Sequence, residues 1–314
     1  MRIAIGIGSE AIGAPVAPQA VVDQARAAEA DGFASAWCVH FSRGLDALSV
    51  LAVAGTRTGR IELGVGVVPT YPRHPVALAQ QAATVQALCG GRLTLGVGVS
   101  HRPVIEGMHG LAYTRPAAHL REYLSVLVPL LTKGSVDFEG ELYRVEAEIT
   151  VPGTTTVAVL VGALSPRMVG VAGELADGVV TWLAGRRTLA GDILPSLLTA
   201  AAGAGRSAPR VVAALPVAVT DDEASAREAA NVVFARYAGL ANYQRVFERE
   251  GVSTPADLAL VGSEAEVERQ LAGYAEAGAT ELWPVAFPVG PDPDASLRRT
   301  REFLRAQASA NDNC

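Results

Sequence analysis

Lysine is almost missing from this chain: Lys133 is the only one among 26 basic residues, and the arginines are scattered rather than clustered. With a formal net charge of −6, that distribution argues against a nucleic-acid partner. Cysteine is scarce as well. Cys38, Cys89 and Cys314 have neither CxxC nor metal-ligand spacing, and an odd count leaves at least one unpaired within the chain, so reduced thiols are expected. No apolar run reaches membrane-spanning length, and the N-terminal MRIAIGIG is too short for a signal sequence and reads as a strand. A soluble, cytoplasmic protein with no membrane partner is expected. HExxH, GxSxG, paired CxxC and Walker loops are all absent, so no metal is expected. Charged residues make up only 18% of the chain and hydrophobic ones 50%, which suits a compact globule; 314 residues can bury the core of one large barrel or of two ordinary domains.

What is present is a rhythm of strands and helices. Strands are expected at 2–8, 34–39, 61–68, 92–99, 157–161, 178–182, 211–219 and 280–286. Helices are expected at 18–30, 45–56, 75–88, 119–131, 166–175, 189–202, 223–249, 264–277 and 295–306, with Pro18, Pro75 and Pro166 opening three of them. Residues 101–116 read as a loop rich in Arg, Pro and His, and 307–314 as a frayed polar tail. The segment 134–156 breaks the rhythm: DFEGELYRV at 137–145 looks like a small hairpin turning at Glu139-Gly140, inserted before the fifth strand. Eight strands alternating with helices, with no linker and no second core, predict a single (β/α)8 TIM barrel over 1–314. The competing doubly wound sheet lacks the early glycine motif that dinucleotide folds need.

The third and fourth strands both carry Gly-Val-Gly-Val, at 64–67 and 96–99. The third glycine of G-x-G-x-x-G is missing from both, so these glycines serve either close packing in a crowded barrel or the approach of a flat ligand to the backbone. The C-terminal strand ends are where parallel α/β proteins place their chemistry. His40 and His101 fall at two such ends and are the candidate catalytic residues, because an imidazole can move a proton or hold an oxyanion near neutral pH. His74 has a structural place at a helix start, and His109 and His119 are expected in solvent. Gly162-Ala163-Leu164-Ser165-Pro166-Arg167 leads from the fifth strand into a helix, a turn that suits an anion such as phosphate. A serine N-cap with proline at the first helical position explains Ser165 and Pro166 equally well.

LGVGVVPTYPRHPVALAQQAATVQALCGGRLTLGVGVSH, VGALSPRMVGVAGELADGVVTW and LVGSEAEVERQLAGYAEAGATELWPV together resemble the luciferase-like monooxygenase superfamily, and most of all its branch that uses the deazaflavin coenzyme F420. The resemblance implies a barrel whose (deaza)isoalloxazine lies across the ends of the second to fourth strands, at His40, Gly66, Val67, Val68, Gly98, Val99 and Ser100. It implies a non-proline cis peptide at Gly66–Val67. It also places the cofactor phosphate at Gly162, Ala163, Leu164, Ser165 and Arg167, with Thr181 and Trp182 nearby, and suggests a homodimer.

Three departures stand out. Val39 precedes His40 where the family often has aspartate. His101 stands where some members have a catalytic glutamate. The lysines that bind substrate phosphate in F420-dependent glucose-6-phosphate dehydrogenase have no counterpart here, which argues against that activity. The implied function is hydride transfer between deazaflavin C5 and a small organic substrate. The alternatives are an FMN-dependent monooxygenase fed by a separate reductase, and a non-catalytic flavin-binding barrel. Substrate choice would fall to the 101–116 loop, the hairpin and 231–252.

Overall fold

The computed structural model describes residues 1–8 and 16–311; Cys314 lies outside them. Strands β1 (Arg2–Ile3) and β2 (Ile5–Ile7) precede α1 (Pro18–Ala30), β3 (Ser35–Val39), α2 (Ala47–Arg57), β4 (Glu62–Pro69), α3 (Pro75–Leu88) and β5 (Leu93–Gly98). Then come α4 (Arg102–Gly107), α5 (Pro116–Lys133), β6 (Ser135–Glu139), β7 (Arg144–Glu148), β8 (Ala158–Gly162), α6 (Pro166–Leu175) and β9 (Gly178–Trp182). The last part holds α7 (Arg186–Thr188), a π-helical turn (Leu189–Ile193), α8 (Leu194–Gly203), β10 (Arg210–Val219), α9 (Glu223–Val233), α10 (Ala235–Ala238) and α11 (Ala241–Glu250). A 3-10 turn (Pro255–Leu258), β11 (Leu260–Gly262), α12 (Glu264–Glu276), β12 (Glu281–Ala286) and α13 (Pro293–Asn311) complete it.

Local chemistry explains the helix starts. Proline sits in the first turn of α1, α3 and α6, where a missing N–H costs nothing. Asp46, Ser165 and Ser263 cap α2, α6 and α12 by accepting from the backbone N–H three residues on. Strand order is β1-β12-β10-β9-β8-β5-β4-β3-β2, with β11 beside β10. β1 and β2 belong to one segment interrupted at Ala4. Its first half pairs in parallel with β12 (Arg2↔Glu281) and its second half lies beside β3, so the two ends of the order meet and the sheet closes as a (β/α)8 barrel.

By contacts the chain divides into two compact units. The first comprises 1–37, 180–195 and 210–314. At its heart Glu281, only 1% exposed, accepts from Ser35 Oγ (2.6 Å), Trp37 Nε1 (2.8 Å) and Arg210 Nη2 (2.7 Å). Trp37 stacks on Trp283 at 5.4 Å between ring centroids. The second unit comprises 38–179 and 196–209. There the Arg92 guanidinium gathers the carbonyls of Gly55, Thr58 and Ile61, tying the end of α2 to the starts of β4 and β5.

Several expectations are corrected. The 101–116 loop contains α4, because Pro103 is tolerated in a first helical turn. The hairpin turns over 140–143, with Glu139 opposite Arg144, not at Glu139-Gly140; Glu122 on α5 accepts from the backbone N–H of Glu141, Leu142 and Tyr143 and holds the turn there. The single helix expected over 223–249 is three, broken at Phe234, whose ring is fully buried, and again near Gly239. The connection after it carries a strand, β11, paired with β10 (Val217↔Leu260). Residues 307–311 of the expected tail continue α13, and 312–314 lie outside the described residues.

Candidate functional site

The C-terminal ends of β3, β4, β5 and β8 all lie in the second unit. The register between β4 and β5 shifts between Val65 and Val68, and the peptide Gly66–Val67 is cis. A bulge of this kind re-aims side chains. A Cβ on Gly98 would come 2.8 Å from Val67 Cγ2, and one on Gly162 would come 3.2 Å from both Val67 methyls. A Cβ on Gly96 would meet the Val65 carbonyl oxygen at 2.2 Å. The close-packing reading of these glycines therefore applies: their missing side chains make room for the bulged strand and for Val67. Gly66 and Val67 themselves are half-buried between buried neighbours, so the bulge presents one stretch of β4 at the strand ends. Val68 and Gly98 are buried, Val99 and Ser100 half-buried. Ser100 takes φ +60°, a left-handed turn that carries the chain to His101.

His40 follows β3. Its backbone N–H donates to Gly66 O (3.4 Å), and its ring Nδ1 accepts the backbone N–H of Ala47 (3.3 Å), the first residue of α2. Burial and the Arg73 guanidinium push the imidazole down to about 4, and Asp46 offsets them only in part. Asp46 forms an ion pair with Arg73; burial works to raise its carboxyl, but hydrogen bonds from Arg73 and Ser49 hold it at about 2. His101 occupies the N-cap position of α4 without capping it through its side chain, and burial lowers its imidazole. β4 lies between β3 and β5, so the strands that lead to the two histidines are about 10 Å apart, two strand spacings.

Two of the remaining histidines differ from expectation. His119 is buried: its Nε2 bonds Thr70 Oγ1 (2.9 Å) and its ring stacks on Tyr71 at 3.8 Å. Burial pushes it down to about 4. Its place on the face of α5 that holds Leu120, Tyr123, Leu124 and Leu127 was available from helical spacing. His109 is half-buried, and its Nε2 finds no partner among the described residues. His74 is exposed and accepts from Val76 N (3.3 Å) at the start of α3. Tyr71 also packs on Tyr113, whose hydroxyl donates to Ser100 O (3.4 Å), so an aromatic wall that sequence reasoning missed stands beside the His101 turn.

In the turn after β8, Gly162, Leu164 and Ser165 are half-buried, Ala163 is buried, and Arg167 is exposed. The first turn of α6 there has backbone N–H groups without intrahelical acceptors. Thr181 and Trp182 end β9 in the first unit; Thr181 Oγ1 is buried without a partner among the described residues, and Trp182 packs on Phe234 and Tyr237. The half-buried bulge and the helix start fit a flat ring carrying an anionic tail. Among the described residues no cluster of side chains has the makings of a metal site, and no helix is long and apolar enough to cross a membrane.

Known proteins share this arrangement of sequence and fold. The chain is 28% identical to the 5,10-methylenetetrahydromethanopterin reductase of Methanopyrus kandleri, over 92% of this chain and 86% of that protein. It is 29% identical to the F420-dependent glucose-6-phosphate dehydrogenase of Nakamurella multipartita, over 96% of this chain and 87% of that one. The solved structure of the coenzyme F420-dependent tetrahydromethanopterin reductase from Methanopyrus kandleri superposes with a TM-score of 0.81 at 23% identity, covering 99% of each chain, and so has the same fold. The sequence model of the luciferase-like monooxygenase family matches residues 2–281. The chain belongs to the luciferase-like monooxygenase family.

Proposed function

We propose that this protein is a coenzyme F420-dependent oxidoreductase, a single barrel domain that exchanges a hydride between the deazaflavin C5 and a small organic substrate. The observation that carries the reading is the half-buried Gly66–Val67 bulge, flanked by His40 on one side and the Ser100-His101 turn on the other. The likeness to an F420-dependent dehydrogenase supports F420 over FMN. When bound, F420 would supply a two-electron hydride carrier. Gly66, Val67 and Val68, with Gly98, Val99 and Ser100, would support the ring. Gly162 to Ser165 and Arg167 would receive the phosphate. His40 and His101 are the catalytic residues of the proposal, placed to hold or move the proton that accompanies the hydride. The protein is cytoplasmic and homodimeric in this reading.

Titrating the purified protein with F420 and with FMN tests the proposal. Micromolar or tighter F420 binding with weak FMN binding is expected; the reverse preference would replace it with an oxygen-using flavin enzyme.

A further inference from the structure

The His40 ring is held from one side by a donor. Ala47 opens α2, so its N–H has no acceptor inside the helix, and it points at His40 Nδ1 from 3.3 Å. A proton on Nδ1 would set donor against donor at the positive end of the helix dipole. The helix start is itself pinned. Asp46 accepts from Ser49 N and Ser49 Oγ (both 2.8 Å) and pairs with Arg73, while Arg73 Nη1 reaches Gln81 Oε1 on α3 (2.8 Å).

We propose that His40 works as a neutral imidazole with its proton fixed on Nε2, donating a hydrogen bond to an oxygen of substrate or cofactor, and that Asp46 and Arg73 are positioning residues that hold it in that state. The catalytic use rests on the function proposed above; the charge and tautomer do not. Two charged groups bear on the ring: Asp46, the cap of α2, and Arg73, in the connection after β4. On β3 the buried Cys38 thiol is pushed up to about 12 and stays neutral. A fixed donor at His40 leaves the moving proton to His101.

Nitrogen-resolved NMR of the ligand-free full chain, with the signals assigned through His40→Gln, reads the ring directly. The expected result is Nδ1 unprotonated and Nε2 protonated, unchanged between about pH 5 and pH 8. Arg73→Met removes a cation and should move protonation of His40 to higher pH. Asp46→Asn keeps a competent N-cap, removes the anion, and should move it lower. Opposite shifts from two neighbouring substitutions are not what loss of structure produces. In turnover, His40→Ala should lose on the order of 10²-fold in kcat, and His40→Gln, which still presents an N–H, should lose less than His40→Ala. Titration near the ordinary value of about 6.5, a proton on Nδ1, or shifts of the same sign would overturn the proposal. Failure to bind F420 would instead overturn the cofactor reading and leave the ring signals as they are, so the two fail separately.

Discussion

Alanine at Gly98 tests why the strand ends are glycine. Its Cβ would stand 2.8 Å from Val67 Cγ2, so the Val67 side chain must move or the bulge must open. Away from a clash, glycine to alanine in a strand favours the fold by ~0.5–1 kcal/mol. Overpacking costs ~1–3 kcal/mol, and the net expectation is a loss of about 1 kcal/mol. Val67→Ala removes two methyl groups from a half-buried side chain; at roughly 0.8 kcal/mol per fully buried carbon this loses about 1 kcal/mol. If Val67 is what Gly98 makes room for, the double variant should cost less than the sum of the singles by about 1 kcal/mol. Urea unfolding of the four proteins measures that coupling. Gly96→Ala is the contrasting case, because its Cβ would meet the Val65 carbonyl at 2.2 Å and Val67→Ala should not relieve it. Additivity of Gly98→Ala and Val67→Ala within about 0.3 kcal/mol would refute the packing argument.

Stability should also depend on pH through the buried imidazoles. His40 and His119 sit at about 4 when folded, below their ordinary 6.5, so between those values the unfolded chain binds more protons. Stability should therefore be fully present above about pH 6.5 and fall as pH drops towards 4, by on the order of 1–3 kcal/mol per histidine. His119→Gln should flatten its share, and a profile that stays level across that window in the unsubstituted protein would contradict the burial argument. Glu122→Ala should release the β6–β7 turn while sparing the barrel. The amides of Glu141, Leu142 and Tyr143, which Glu122 binds, should exchange with solvent faster, by roughly tenfold for about 1.4 kcal/mol lost. Unchanged protection at those three amides would show that the turn is held by other contacts.

Legibility in the sequence followed the range of the forces involved. The spans of α1, α3, α6 and β9 could be read directly, because proline and helix-ending residues set the helix ends locally and a short β-branched run between Gly178 and Trp182 set the strand. The break of the 223–249 stretch depends on Phe234 burying its ring in a cluster with Ala256, Val261 and Phe287, distant positions that no local pattern announces. The same holds at the site. His40 was visible as a strand-end imidazole, but its Nδ1 partner is a backbone N–H, which has no residue-type signature. Arg73 reaches Asp46 across 27 positions of chain. Val67 faces the glycines through the register shift in β4, and a shift of one residue reverses a strand's alternation.

The pairing of β1 with β12 has a temporal side. Arg2 leaves the ribosome long before its strand partner Glu281 is made. Ser35 and Trp37 likewise wait, across 246 and 244 positions, for the carboxylate that accepts their hydrogen bonds. The long stretch 38–179, by contrast, holds most of the partners of its own unit and can collect them as it emerges. Until 281–286 are made, the β1 edge and the Ser35 and Trp37 donors therefore stay unclaimed. A chain cut short before 281 would leave that open strand edge and the face of Trp37 that stacks on Trp283 uncovered.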